Sequence, residues 1–426
     1  MTLYTIPDLR YERYTLSNGL RVVLHRDTSL PLVTVNLWYH VGSKNERPGR
    51  TGFAHLFEHM LFQGSQHVPT NDHFRLVQQV GGVANGSTWY DRTNYYETLP
   101  AHHLDLGLWL ESDRMGFFLP ALTQENLDTQ RSVVMNERRQ RVENQPYGMA
   151  GERIHELLYP DDFPYHWPVI GYMEDIAAAN LEDVRTFFQT YYAPNNAVLT
   201  LTGDFDPEDA LRRIETWFGD IPPGPPVPPV VAELRPLGGE RREVREDNVR
   251  LPRIYLGFRA PAVGERLWYA ADLLAGILTG GKSALLYRDL VYDRQIAQDV
   301  SASVSPYEEV ATFLVAATAR PGVRVETLEA ALLEHLDRLA ASPPAPADLE
   351  RARNRTLMDY FSSLQKIETR ADQFGMFTTY LDDPGALARE SEIFGELTGQ
   401  DVQDYTAGWC RESERVVVTF VPRGEA

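Results

Sequence analysis

The sequence predicts an α+β protein built from two similar halves, and two observations carry that reading. The first is a proline-rich run, Ile221-Pro-Pro-Gly-Pro-Pro-Val-Pro-Pro229, with six prolines in nine residues. Such a run cannot be a helix interior or a central strand, and it acts as a semi-rigid spacer. It cuts the 426-residue chain almost in half. The second is an echo between the ends of the two halves. Leu181-Glu-Asp-Val184-Arg-Thr-Phe-Phe188 precedes Val198-Leu-Thr-Leu-Thr202, and Thr398-Gly-Gln-Asp-Val402-Gln-Asp-Tyr405 precedes Val416-Val-Val-Thr-Phe420. The steps from Val184 to Val198 and from Val402 to Val416 are both fourteen residues. Each pair reads as a polar-capped helix leading into a β-branched strand, and an internal duplication is the simplest account. The expected domains are residues 1–220, a linker over 221–232, and residues 233–426.

Within the first half, strands are expected near 19–26 and 32–41. A helix follows, then a strand pair near 83–90 and 93–99. The helix is the most informative segment of the chain: Thr51-Gly-Phe-Ala-His55-Leu-Phe-Glu58-His59-Met60-Leu-Phe-Gln-Gly-Ser65. On a helix, positions i and i+4 lie one above the other, so His55 and His59 present two imidazoles to one point. Two neutral imidazoles at that spacing are half of a zinc site, and Glu58 sits near the same face, placed to hold a water. The arrangement is H-x-x-E-H, the inverse of the commoner H-E-x-x-H. A histidine pair on an amphipathic helix is also often only the polar edge of a packed face, so a third ligand is needed. A catalytic zinc takes three protein ligands and leaves its fourth position to water.

The candidate third ligand is Glu137. After the turn-rich Leu119-Pro-Ala-Leu-Thr123, a long helix is expected from about Gln124 to Glu143, with Leu127, Val133, Val134 and Met135 on its apolar side. Glu137 is out of place there if buried without a partner. By spacing alone, a solvated glutamate on a charged helix reads equally well. In the second half, Ser342-Pro-Pro-Ala-Pro346 marks a turn between two helical stretches.

Composition bounds the rest. Hydrophobic residues make up 43% of the chain, yet there is no run of eighteen apolar residues, so no membrane span is expected. A single cysteine, Cys410, excludes an internal disulfide and a cysteine metal cluster. A net charge of −19 argues against nucleic acid, whose binders present a basic face. Met1-Thr-Leu-Tyr-Thr-Ile-Pro-Asp8 lacks the basic and apolar regions of a signal peptide, which leads to an expected cytoplasmic location.

Taken together, the motifs resemble those of the pitrilysin family of zinc peptidases, the group of insulin-degrading enzyme and the mitochondrial processing peptidase. The resemblance covers nearly the whole chain. It runs through Asn18-Gly-Leu-Arg-Val-Val-Leu24, Val33-Thr-Val-Asn-Leu-Trp-Tyr-His-Val-Gly42-Ser43 and the H-x-x-E-H segment. It continues through Gly81-Gly-Val-Ala-Asn85-Gly-Ser-Thr88-Trp-Tyr-Asp91-Arg-Thr93-Asn-Tyr-Tyr96, the Val-Val-Met-Asn-Glu137 helix, Tyr191-Tyr-Ala-Pro-Asn195-Asn-Ala197 and Gly280-Gly-Lys-Ser283-Ala-Leu-Leu286.

The resemblance implies two α+β halves of similar fold, each a mixed β-sheet covered by helices, with metal residues in the first half only. It implies one zinc per chain held by His55, His59 and Glu137, with Glu58 as general base, although such ligands also accept manganese or cobalt. Gln130 stands where members often carry a second glutamate, seven residues before the ligand, and would orient the ligands from outside. Substrate positioning is expected from Gly82-Val-Ala84-Asn85-Gly86-Ser87, an edge strand that an extended peptide joins by main-chain hydrogen bonds. Read without the resemblance, it is an ordinary hairpin strand.

One expected feature is missing. Fully active members use an Arg and a Tyr seven apart in the second half, and the matching positions here hold Val291 and Gln298. Tyr292 and Arg294 lie nearby but out of register. The reading is a zinc endopeptidase subunit whose homologous partner, without zinc ligands, supplies the Arg/Tyr pair. The alternatives are a homodimeric peptidase using its own oxyanion residue, such as Tyr292, and a non-catalytic scaffold of the same fold.

Overall fold

The computed structural model describes residues 9–424, so the expectation made on Met1–Asp8 lies outside them. The chain opens with β1 (Glu12–Thr15), β2 (Arg21–Arg26) and β3 (Leu32–Tyr39), then helices α1 (Phe53–Met60) and α2 (Asp72–Gln79). The hairpin β4 (Val83–Thr88) and β5 (Thr93–Pro100) comes next. Helices α3 (Leu104–Phe117), α4 (Gln124–Arg138), α5 (Ala150–Leu158), α6 (Met173–Ala178) and α7 (Leu181–Tyr191) lead to β6 (Ala197–Gly203) and α8 (Pro207–Phe218). Beyond the proline run stand β7 (Arg241–Asp247), β8 (Arg253–Ala260), α9 (Arg266–Thr279), β9 (Ala297–Val304) and β10 (Ala311–Ala319). The chain closes with α10 (Val325–Ala341), α11 (Pro346–Ser363), α12 (Ile367–Leu381), α13 (Ala386–Glu396), α14 (Gly399–Trp409) and β11 (Val416–Pro422). No helix among the described residues is long and apolar enough to cross a membrane.

Two mixed sheets result, ordered β1-β2-β6-β3-β5-β4 and β7-β11-β8-β10-β9. From β2 onward they match strand for strand. Each has one parallel pair, β2 with β6 and β7 with β11, and is otherwise antiparallel. The helix-to-strand echo falls on α7–β6 and α14–β11, each helix started by a side-chain cap. Asn180 accepts from the amides of Glu182 and Asp183, and Thr398 from that of Asp401. The expectation of two similar halves with mixed sheets is borne out.

The chain forms two compact units. One comprises the chain up to Arg139 with Trp167–Ala232 and Phe361–Ala388; the other comprises Gln140–His166, Glu233–Tyr360 and the chain from Arg389 onward. Each unit thus includes a helix drawn from the far side of the proline run. In the first unit, β3 and β6 are buried on both faces. Val33, Val35, Leu37 and Tyr39 join the core with Phe57, Leu108 and Val184, while α12 covers the opposite face. Trp38 Nε1 donates to Asp372 at 3.1 Å, and Thr202 Oγ1 to the Ile367 carbonyl at 2.9 Å. Gly375 permits this packing, since a Cβ there would lie 2.7 Å from the Trp38 ring. In the second unit α5 does the same for β8 and β11, against Gly257, whose Cβ would meet Ile154 at 2.9 Å.

The helix expected to reach Glu143 is α-helical only to Arg138 and continues through Glu143 as a wider π-turn. Such turns concentrate at functional sites, and this one begins two residues after Glu137.

Candidate metal centre

Helix α1 is fixed before its histidines are reached. Glu46 accepts hydrogen bonds from the amides of Gly52 and Ala54, both 2.8 Å, placing a carboxylate on the helix N-terminus. Gly52 adopts φ 81°, and its α-carbon lies against Gly171, also at positive φ; a Cβ on Gly171 would sit 2.4 Å from the Gly52 α-carbon. Only glycine suits both the backbone and the approach. Thr51 donates to Asp175 at 2.7 Å and accepts from the Tyr172 amide at 3.0 Å, which ties the helix start to the segment entering α6.

The loop carrying Glu46 is held in turn by the β4–β5 turn. The amides of Ser43 and Lys44 donate to the carbonyls of Trp89 and Tyr90, and Lys44 pairs with Asp91 at 3.2 Å, both side chains buried. Gly42 lies so close that a Cβ would be 2.3 Å from the Trp89 oxygen. The turn, the loop and the start of α1 are therefore one connected structure.

On α1, His55 and His59 stack one turn apart, ring centroids 4.8 Å from each other. Helix α4, started by the Thr123 cap and anchored by Leu127 and Val134 in the core, delivers Glu137 to them. Glu137 Oε2 lies 3.2 Å from His59 Nε2 and 3.8 Å from His55 Nε2, and all three side chains are mostly buried. Ligands bound at 2.0–2.1 Å to a tetrahedral ion lie roughly 3.3 Å apart. Two imidazole nitrogens and one carboxylate oxygen are a donor set that zinc takes, so the residues fit the ion.

Glu58 turns towards the hairpin, where Thr88 donates to it at 2.7 Å. Burial pushes its carboxyl above the ordinary range, while the Thr88 hydrogen bond, His59 and Arg92 pull it down and Glu137 pushes it up. Strand β4 is the edge of its sheet. Gly86 lets it lie close over α1, since a Cβ there would be 3.2 Å from Glu58 Cγ and 3.0 Å from the Phe62 ring. Ala84, Asn85 and Ser87 lie along the same edge strand. Gln130 is buried on α4, two turns before Glu137.

A second set of metal-capable groups, His73, Glu97 and Glu111, is buried in the same unit. It already holds a cation. The Arg114 guanidinium lies 2.9 Å from His73 and 3.5 Å from Glu111, over the rings of Phe62 and Tyr95. This network supports the aromatic floor under Gly86.

Sequence reasoning missed Glu46, Thr88 and Arg92. The usable signal for Thr88 was register: it shares a strand face with Gly86, two residues earlier. In the second unit, Tyr292 is 73% exposed, and Arg294 is engaged with Asp289 and Glu334.

Comparison with known proteins gives two family matches. Residues 21–163 match the insulinase (peptidase family M16) model, and residues 178–356 match the peptidase M16 inactive domain. The chain is 29% identical to the zinc protease PqqE of Helicobacter pylori over 97% of its own length and 93% of that protein. It is 24% identical to the uncharacterized zinc protease YmxG of Bacillus subtilis, over 92% of this chain and 93% of that one. The crystal structure of a protease from Helicobacter pylori superposes with a TM-score of 0.92 at 28% identity, covering 97% of this chain and all of that one.

Proposed function

The chain belongs to the M16 (pitrilysin) family of metallopeptidases, and from that premise we propose that it is a zinc endopeptidase with one metal site and Glu58 as its general base. The observation that carries this reading is the convergence of His55, His59 and Glu137, with Glu58 alongside and the edge strand β4 directly above. A bound zinc supplies Lewis acidity towards a scissile carbonyl and towards water.

The chain's own residues do the rest. Strand β4, through Ala84, Asn85, Gly86 and Ser87, offers the open edge of its sheet to an extended peptide and draws it over α1. Glu58 takes a proton from the attacking water and returns it to the leaving amine. Thr88 holds the Glu58 carboxylate in place, and Gln130 lies on the ligand-bearing helix where it steadies the approach of Glu137.

We infer further that this chain is the metal-bearing subunit of a heterodimer. Val291 and Gln298 offer neither a cation nor a phenol, Tyr292 points to solvent, and Arg294 is held in ion pairs. A homologous chain carrying an Arg/Tyr pair would complete the oxyanion site. A homodimer supplying its own oxyanion residue is the second reading, and mass in solution with and without such a partner separates the two.

The test is zinc content and peptidase activity, side by side, for wild type and Glu58→Gln, each alone and with a homologous partner chain carrying the Arg/Tyr pair. Both should bind one zinc per chain, while Glu58→Gln loses about 10²–10⁴-fold in kcat, the range for removing a general base. A wild-type chain that binds no metal, or a Glu58→Gln chain of full activity, overturns the assignment.

A further inference from the structure

We propose that a polar cavity on the face of the first sheet opposite α1 is a subsite for a lysine or arginine side chain of a peptide added to β4. The proposal rests on the reading of β4 as the substrate strand.

A strand that joins the β4 edge continues the pleat of the sheet, so its side chains alternate between the two faces. On one face lie Gly86 and Thr88, against α1 and Glu58. On the other lie Asn85 and Ser87, which pair in register with Tyr96 and Asn94 of β5. Every second residue of the peptide is thereby turned away from the metal ligands and towards α12.

On that second face, between the sheet and α12, is a cavity of about 230 Å³. Ser87, Arg92, Tyr96, Glu368, Thr369 and Asp372 contribute to its wall. Two of its three charges are already committed. Asp372 accepts from Trp38 Nε1 at 3.1 Å and Asn94 Nδ2 at 3.3 Å, fastening α12 to the sheet. Arg92 donates to the Ser87 carbonyl at 2.8 Å and to Asn94 Oδ1 at 2.9 Å, and lies over the Trp38 ring. These two opposite charges offset one another.

Glu368 is different. It stands one helical turn before Asp372, so it faces the same cavity, and it makes no hydrogen bond or ion pair among the described residues. A cationic side chain entering from β4 would meet this carboxylate in a charge-assisted hydrogen bond. The Ser87 hydroxyl is taken up by Asn94 and Arg92, and the hydroxyls of Thr369 and Tyr96 suit the remaining donors of an ammonium or guanidinium group.

The test uses the full chain with zinc bound, in the Glu58→Gln form so that peptides survive. Fluorescence anisotropy measures binding of neutral ten-residue peptides in which a single arginine, or a glutamine control, is moved position by position. The expected result is about tenfold tighter binding for arginine at one position or at positions two apart, with no gain at their neighbours. Adding Glu368→Gln removes that preference, and Glu368→Lys transfers it to glutamate-bearing peptides; unchanged melting of both variants shows that α12 stays in place. Equal gain at every position, a preference that survives Glu368→Gln, or no binding at all overturns the subsite. Wild type that binds with this pattern but cleaves nothing sinks the peptidase reading and leaves the subsite standing. Cleavage without discrimination does the reverse.

Discussion

Thr88 contributes a single hydroxyl to the site, and its removal has a direction that can be worked out. The Thr88 hydrogen bond favours the charged form of Glu58 and so holds its pKa down against burial. In Thr88→Val the carboxyl rises further. A general base works only when ionised, so the acid limb of kcat/KM moves to higher pH and activity at neutral pH falls roughly three- to tenfold. Zinc content stays at the wild-type level. An unmoved acid limb in a pH–rate profile contradicts the contact. At this scale the pair His55 and His59 was legible because i and i+4 on a helix is local geometry, while Glu137 needed the family resemblance to single it out. Thr88 follows only from its strand register with Gly86, while Glu46 and Arg92 reach the site through a loop and a turn that no spacing rule links to it.

Among the elements, the join between the β4–β5 turn and the loop before α1 carries the most consequence. Gly42→Ala places a methyl 2.3 Å from the Trp89 carbonyl, a backbone atom that cannot rotate away. Either the loop or the turn has to move, and Glu46 and Thr88 move with them. The expected cost is about 1–3 kcal/mol, as for overpacking elsewhere. It is read as a lower Tm together with weaker zinc affinity; a variant that melts lower but keeps its zinc affinity would show that the loop does not position α1. The β4–β5 hairpin, the helix bearing Glu137 and the capped helices α7 and α14 were readable from caps, turn residues and apolar spacing. The π-turn after Glu137 was not, because an i→i+5 turn leaves no periodic signature and a continuous helix was the natural expectation.

For the molecule as a whole, the proline run and the echoed helix–strand pairs announced the duplication, and the two matching sheets follow from it. The crossing of α5 and α12 between units had no such signal. An amphipathic helix declares that it has an apolar face but not which sheet will cover it. The exchange predicts that residues 9–232, expressed alone, bind no zinc and remain insoluble, since Trp38, Thr34 and Thr202 lose the helix that covers them. Co-expression with residues 233–424 should restore both; a soluble, zinc-binding fragment would show that α12 is dispensable. The same exchange has a bearing on synthesis. Strand β6 leaves the ribosome roughly 160 residues before α12, an interval of about 10–30 s at ordinary elongation rates. During that interval the first sheet has one face open, carrying a tryptophan and a free edge at β4, so the nascent chain is a natural client for a holding chaperone.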